Sequence, residues 1–241
     1  MSKHLGFATG SIWRWMKSDN RNELIDYIRP LGIQAVELTI GSEQELYSLQ
    51  ISNENISWLR ERRHISIHAP DLHNSFGKQD RLIRQLKALE NLAILINASS
   101  VVIHIEDLPP DEILKTLSFP ISIENTGPGN YTSPQYIAEF LEHYPEFYLC
   151  LDLAHAALVS EREAGILISH FREKISHIHI SGVCNNRDHQ SLITASDLFY
   201  RSILPALNLD VPFLIEEDIK ELDTVYLKQE LSAAGHLISA D

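Results

Sequence analysis

Short runs rich in Val and Ile, with apolar and polar residues alternating, recur along the chain, and a stretch with helical spacing follows each. The runs are HLGFA (4–8), QAVELT (34–39), HISIHA (64–69), SVVIHI (100–105), PISIEN (120–125), FYLCLD (147–152), SHIHIS (176–181) and PFLIEE (212–217). Between them lie segments such as NRNELIDYIRP and KQDRLIRQLKALENLAILIN, whose apolar residues fall on one face of a helix. Ser133 before Pro134 and Ser196 before Asp197 are expected helix N-caps. Eight strands alternating with helices, at intervals of roughly 20 to 36 residues, predict parallel βαβ units. Eight such units predict an α/β protein with a single closed (β/α)8 TIM barrel. No linker or low-complexity stretch divides the chain, and NTGPGNYTSP (125–134) reads as a strand-to-helix loop, so one domain over 1–241 is expected.

Alternation along these strands separates their two faces, because the side chains that meet the helices must be apolar. Ile65 and Ile67 take that side, which turns His68 inward. The same parity turns His104 inward against Val101, Ile103 and Ile105, and Glu124 inward against Ile121 and Ile123. Asp152 is opposed by Leu149 and Leu151, His179 and His177 by Ile178 and Ile180, and Glu216 by Phe213 and Ile215. Six successive strands thus each bring a His, Asp or Glu to the inner side near the C-terminal end, where barrel enzymes build their sites. One inward histidine is readily satisfied by a core hydrogen bond. Three imidazoles and three carboxylates are not, since crowded carboxylates repel unless cations lie among them. In YLCLDLAHAA (148–157) the apolar strand ends on Asp152, with His155 three residues later. Such a charge needs a partner, and a metal is expected there.

Charge and composition narrow the partners. Acidic residues outnumber basic ones 33 to 20, for a net charge of −13, which does not favour non-specific binding to a polyanion. The densest basic cluster, Arg60, Arg62 and Arg63, precedes the third strand and belongs to the face opposite the site. No apolar run approaches the roughly 18 residues of a membrane helix, and the start MSKHLGFATG lacks the apolar core of a signal peptide. Two cysteines, Cys150 and Cys184, indicate no disulfide framework, so a cytoplasmic protein without a membrane partner is expected. Trp13, Arg14, Trp15 and Lys17 follow the first strand on the catalytic side, where stacking beside a cation suits a sugar or sugar phosphate. Packing at a helix start is the competing role for them. Glu37 ends the second strand facing inward, to contact substrate or to hydrogen-bond across the barrel mouth. Asp71, His73, Lys78 and Arg81 lie near that mouth.

Taken in order, SIHAPD, VVIHIE, ISIENTG, LCLDLAHA, HIHISG and FLIEE resemble the xylose isomerase-like barrel superfamily, from about Leu5 to Glu217. That group includes endonuclease IV-type enzymes and sugar epimerases and isomerases. The endonuclease IV-type likeness implies one to three divalent ions per chain, zinc foremost, with manganese or iron as alternatives. His68, His104 and Glu124 would hold one, and Glu124, Asp152, His179 and Glu216 a second. His155 and His189 would hold a third, which in that family is completed by an Asp-x-His motif. Here Asp188 and His189 are adjacent, and Asp188 is not expected to join. The epimerase likeness implies one ion on Glu124, Asp152, His179 and Glu216, with the two glutamates as an acid–base pair. The histidines of the third and fourth strands are dispensable for that chemistry. Their presence favours a multinuclear hydrolase of a phosphoester, or a related bond, in a small sugar-containing compound. Duplex DNA is the less favoured substrate, because Asp71 stands where endonuclease IV-type relatives carry an aromatic.

Overall fold

The computed structural model describes residues 4–16, 18, 20–75, 77–129, 133–219 and 223–239. Its strands are β1 (Leu5–Ala8), β2 (Ala35–Thr39), β3 (His64–His68), β4 (Ser100–His104), β5 (Ile121–Glu124), β6 (Tyr148–Asp152), β7 (Ile175–Ile180), β8 (Gly182–Cys184), β9 (Arg187–Gln190) and β10 (Phe213–Ile215). The helices are α1 (Gly10–Met16), α2 (Arg21–Ile28), α3 (Glu43–Ser48), α4 (Asn53–Arg60), α5 (Gln79–Ile96), α6 (Asp111–Leu114), α7 (Pro134–His143), α8 (Leu153–Val159), α9 (Glu163–Phe171), α10 (Asp197–Ile203) and α11 (Thr224–Ser239).

β1 to β7 and β10 pair in parallel around a closed barrel, in the order β1-β10-β7-β6-β5-β4-β3-β2. All eight strand windows read from alternation are barrel strands. The apolar parity is buried throughout, as Ile67, Val101, Ile123, Leu151, Ile180 and Phe213 illustrate. β1 can lie against β2 only because Gly6 has no side chain: a Cβ there would sit 1.6 Å from the carbonyl oxygen of Ala35. Both predicted caps form. Ser133 accepts from the amide of Tyr136 and Ser196 from that of Phe199, each at 3.2 Å. The long amphipathic α5 ends at Asn97, whose left-handed φ of 57° satisfies the last carbonyls.

One element was not foreseen. β8 and β9 form an antiparallel hairpin after β7, turning at Asn185 and Asn186 with φ of 51° and 58°. Two successive left-handed residues make the tight turn that suits a twisted hairpin, and Asn tolerates it. Among the described residues, no helix is long and apolar enough to cross a membrane.

Candidate metal centre

The inward residues of six strands meet at the C-terminal end of the barrel. His68 Nε2 lies 3.0 Å from Glu124 Oε2, and His104 Nε2 lies 3.4 Å from the same oxygen. The two rings meet edge-on, with centroids 4.9 Å apart. His68 Nδ1 donates to the carbonyl of Ala69 at 3.0 Å, so Nε2 is the nitrogen that faces Glu124. Burial depresses the His68 imidazolium, but the hydrogen bond to Glu124 and its charge outweigh this and raise the pKa to about 10. The contact therefore needs a cation in it, either a proton or a metal.

Asp152 answers the sequence question in two halves. Its Oδ1 caps α8 by accepting from the amide of His155 at 2.6 Å, which explains the three-residue spacing. Its Oδ2 is buried without a hydrogen-bond partner. Burial raises the pKa of this carboxyl, only partly offset by His155. Asn125, not singled out from sequence, steers this corner: its side chain exchanges two 2.9 Å hydrogen bonds with the backbone of Asp152. The carbonyl of Asn125 accepts from His155 Nδ1 at 3.0 Å, which points Nε2 the other way. An Asn immediately after Glu124 was the available signal.

His179 sits at the centre. Its Nδ1 lies 3.1 Å from Glu124 Oε1 and 2.7 Å from Glu216 Oε2, and its Nε2 donates to Glu37 at 3.2 Å. Glu124, Asp152, His179 and Glu216 thus bring four donor atoms within 4.8 Å of one another. Glu37 is fully buried beneath them and also accepts from Ser66 Oγ at 2.7 Å. Its expected role as a substrate contact gives way to the other one considered, a hydrogen bond across the barrel. Burial raises the Glu37 carboxyl, yet the charge and hydrogen bonds of His179 and His177 hold it well below the usual carboxylate range. His177 packs one layer below, with Nε2 at 3.6 Å from Glu37, and burial pushes its pKa down.

The β8–β9 hairpin supplies the third group. Asp188 Oδ2 lies 3.5 Å from His155 Nε2, and His155, Asp188 and His189 bring donor atoms within 4.8 Å. The expectation that adjacency keeps Asp188 away is overturned. Neighbouring side chains of a regular strand point to opposite faces, but His189 has φ of 50°, and this kink lets both converge. His189 Nδ1 donates to the carbonyl of Glu216 at 2.9 Å, tying the hairpin to the end of β10. His155 is lowered by burial but raised more by Asp152, Glu124 and Glu216, to about 9.

Other expected residues lie around the mouth. Trp13 is half-buried against the core beside Gly41, which suits the packing role. The side chains of Arg14 and Trp15, and Lys17 entirely, lie outside the described residues. Asp71, His73 and Asp107 converge at the rim, with His73 Nδ1 at 2.8 Å from Asp107 Oδ1. Arg81 donates to Glu43 at 2.7 Å.

The donor set fits divalent cations of the zinc, manganese or iron kind, which take mixed imidazole and carboxylate ligands. Rings whose Nδ1 is pinned to a carbonyl, and a buried carboxylate oxygen with no partner, are what such ligation requires. A closed parallel barrel with these donor groups at its strand ends is a (β/α)8 barrel that carries candidate metal ligands. No protein-family profile and no curated protein sequence matches the chain. Solved structures do. A D-tagatose 3-epimerase-like protein superposes with a TM-score of 0.70 at 15% identity, covering 98% of this chain and 97% of that one. Endonuclease IV from Thermus thermophilus gives 0.64 at 18% identity, with 96% and 98% covered. A sugar phosphate isomerase/epimerase from Parabacteroides distasonis gives 0.61 at 16%, with 100% and 95% covered. These neighbours are xylose isomerase-like TIM barrel proteins, and the chain shares their fold.

Proposed function

We propose that the chain is a divalent-metal-dependent hydrolase acting on a phosphoester, or a related bond, in a small sugar-containing compound. The observation that carries this reading is the pairing of His68 and His104 on one oxygen of Glu124, at 3.0 and 3.4 Å. That group is additional to the four residues a single-ion sugar epimerase would need. His68, His104 and Glu124 would hold one ion, Glu124, Asp152, His179 and Glu216 a second, and His155, Asp188 and His189 a third. Ions bound there would lower the pKa of a water towards neutrality and offset charge on a leaving oxygen. The chain's own contribution is orientation. Glu124 reaches two groups with its two oxygens, Asn125 fixes Asp152 and His155, and Glu37 fixes His179. His104, with 30% of its side chain exposed, leaves the centre open to a substrate from the mouth. An acidic chain and Asp71 at the rim favour a small substrate over duplex DNA.

A second reading has its own support. Glu124 and Glu216 both contact His179 Nδ1, at 3.1 and 2.7 Å, so two carboxylates stand together as an acid–base pair for moving a proton at a sugar carbon. The 0.70 superposition on a D-tagatose 3-epimerase-like protein is in keeping with that alternative, an isomerase or epimerase. Substituting His68→Ala and, separately, His104→Ala tests the choice. The hydrolase reading expects each variant to lose activity and about one bound ion per chain. Near-normal turnover in both, with exchange of a carbon-bound proton of the sugar, establishes the epimerase instead.

A further inference from the structure

Beside the centre lies a cleft of about 510 Å³ that the roles above do not use. The segment after β2 (41–44), the segment after β3 (70–71) and the first turns of α5 wall it. Two of its wall segments leave the barrel beside His68: the amide of Ile40 donates to the carbonyl of His68 at 3.0 Å, and Pro70 follows His68 by two residues.

Gln85 lines this cleft from within α5, is 1% exposed, and its Oε1 has no hydrogen-bond partner. A buried amide left unpaired costs stability, so it marks a place where a ligand group belongs. The amide oxygen must receive a hydrogen, and a fully ionised phosphate has none to give. A hydroxyl donates and accepts, and satisfies the amide in either orientation. The charges agree. Lys78 and Arg81 are balanced on the same walls by Glu43 and Asp71, and Arg81 already donates to Glu43. A neutral ligand with several hydroxyls matches these walls; an anion would meet two carboxylates for two cations.

We infer that this cleft is a subsite for the hydroxyls of the substrate's non-reacting end, so that the substrate is a polyhydroxylated chain extending from the centre towards Gln85. This deepens the functional reading above and rests on it for the reacting end alone.

Xylitol, an unreactive five-carbon polyol, is the probe, titrated into zinc-loaded protein by calorimetry and saturation-transfer NMR, with inorganic phosphate alongside. Gln85→Leu is expected to weaken xylitol binding by about tenfold, as loss of one hydrogen bond to a buried group does. Lys78→Met, a change at an exposed position, guards against a folding defect and is expected to weaken xylitol binding as well. Bound zinc is expected to stay unchanged in both. His68→Ala is expected to lose metal and retain xylitol. Xylitol affinity unchanged in both cleft variants, or phosphate displacing xylitol from the cleft, overturns the assignment. His68→Ala keeping its full metal content and turnover, with xylitol binding still weakened by the cleft variants, would instead count against the hydrolase reading alone.

Discussion

His179 stands between two carboxylates: its Nε2 donates to Glu37 at 3.2 Å, and its Nδ1 lies 2.7 Å from Glu216 Oε2. Glu37 thereby fixes which nitrogen of the ring is free to ligate, from a fully buried position that no substrate reaches. Outer partners of this kind typically contribute 10- to 100-fold to metal affinity. Glu37→Gln is therefore expected to weaken zinc binding by roughly that factor, measured by competition with a chromophoric chelator. Unchanged zinc affinity would show that Glu37 serves the barrel core and not the centre.

The histidines make metal uptake and stability depend on pH. His68 and His155 have folded pKa values raised to about 10 and about 9 by the surrounding carboxylates, against an unfolded value near 6.5. A raised histidine contributes stability that is complete below the unfolded value and is lost as pH rises through the folded one. The metal-stripped protein should therefore lose stability between about pH 6.5 and 10. Zinc-loaded protein should not, because the ion replaces the protons. Zinc binding should release protons below pH 9 and tighten with rising pH. Thermal melts of both forms across that range, and calorimetry in buffers of different ionisation enthalpy, measure these outcomes. A flat melt profile for stripped protein would contradict the assignment.

At His189 ligation and backbone comfort are opposed. The residue holds φ of 50°, a conformation that costs a non-glycine residue roughly 1–2 kcal/mol and costs glycine little. His189→Gly removes the imidazole and relieves the backbone together. The stripped variant should melt no lower than the parent, while bound zinc, counted by atomic emission, falls by up to one ion per chain. A lower melting point for the stripped variant would mean that the hydrogen bond to Glu216 outweighs the strain.

The barrel was legible because its signal is periodic. Alternation in SVVIHI or FYLCLD assigns each side chain a face, and closure of the barrel then brings His104 and Asp152 to one end whatever the loops do. What escaped depended on local backbone geometry. The hairpin after β7 is two strands of three and four residues, too short and polar to show a period, and the position of Asp188 depends on one left-handed φ at His189. Glu37 could be placed inside the barrel by parity but not at a depth. Depth came from its pairing with Ser66 and His179 on strands distant in sequence. Asn125 acts through its backbone contacts with Asp152, and no spacing rule announces those.

Asp152 separates a metal ligand from a structural acid. Its Oδ1 caps α8, and its Oδ2 is buried and unpartnered. Asn is as good an N-cap as Asp, so Asp152→Asn keeps the hydrogen bond to His155 and changes only the free oxygen and the charge. Burial raises the Asp152 pKa, so the native state disfavours the charged form, and at neutral pH the neutral amide should leave the stripped protein as stable as the parent or more so. The stabilisation on adding zinc should shrink, because an amide nitrogen in place of Oδ2 does not ligate. Paired melts with and without zinc give both quantities. An undiminished zinc-induced rise in melting temperature would leave Asp152 as a helix cap and nothing more, and the second group of ligands would then have to close without it.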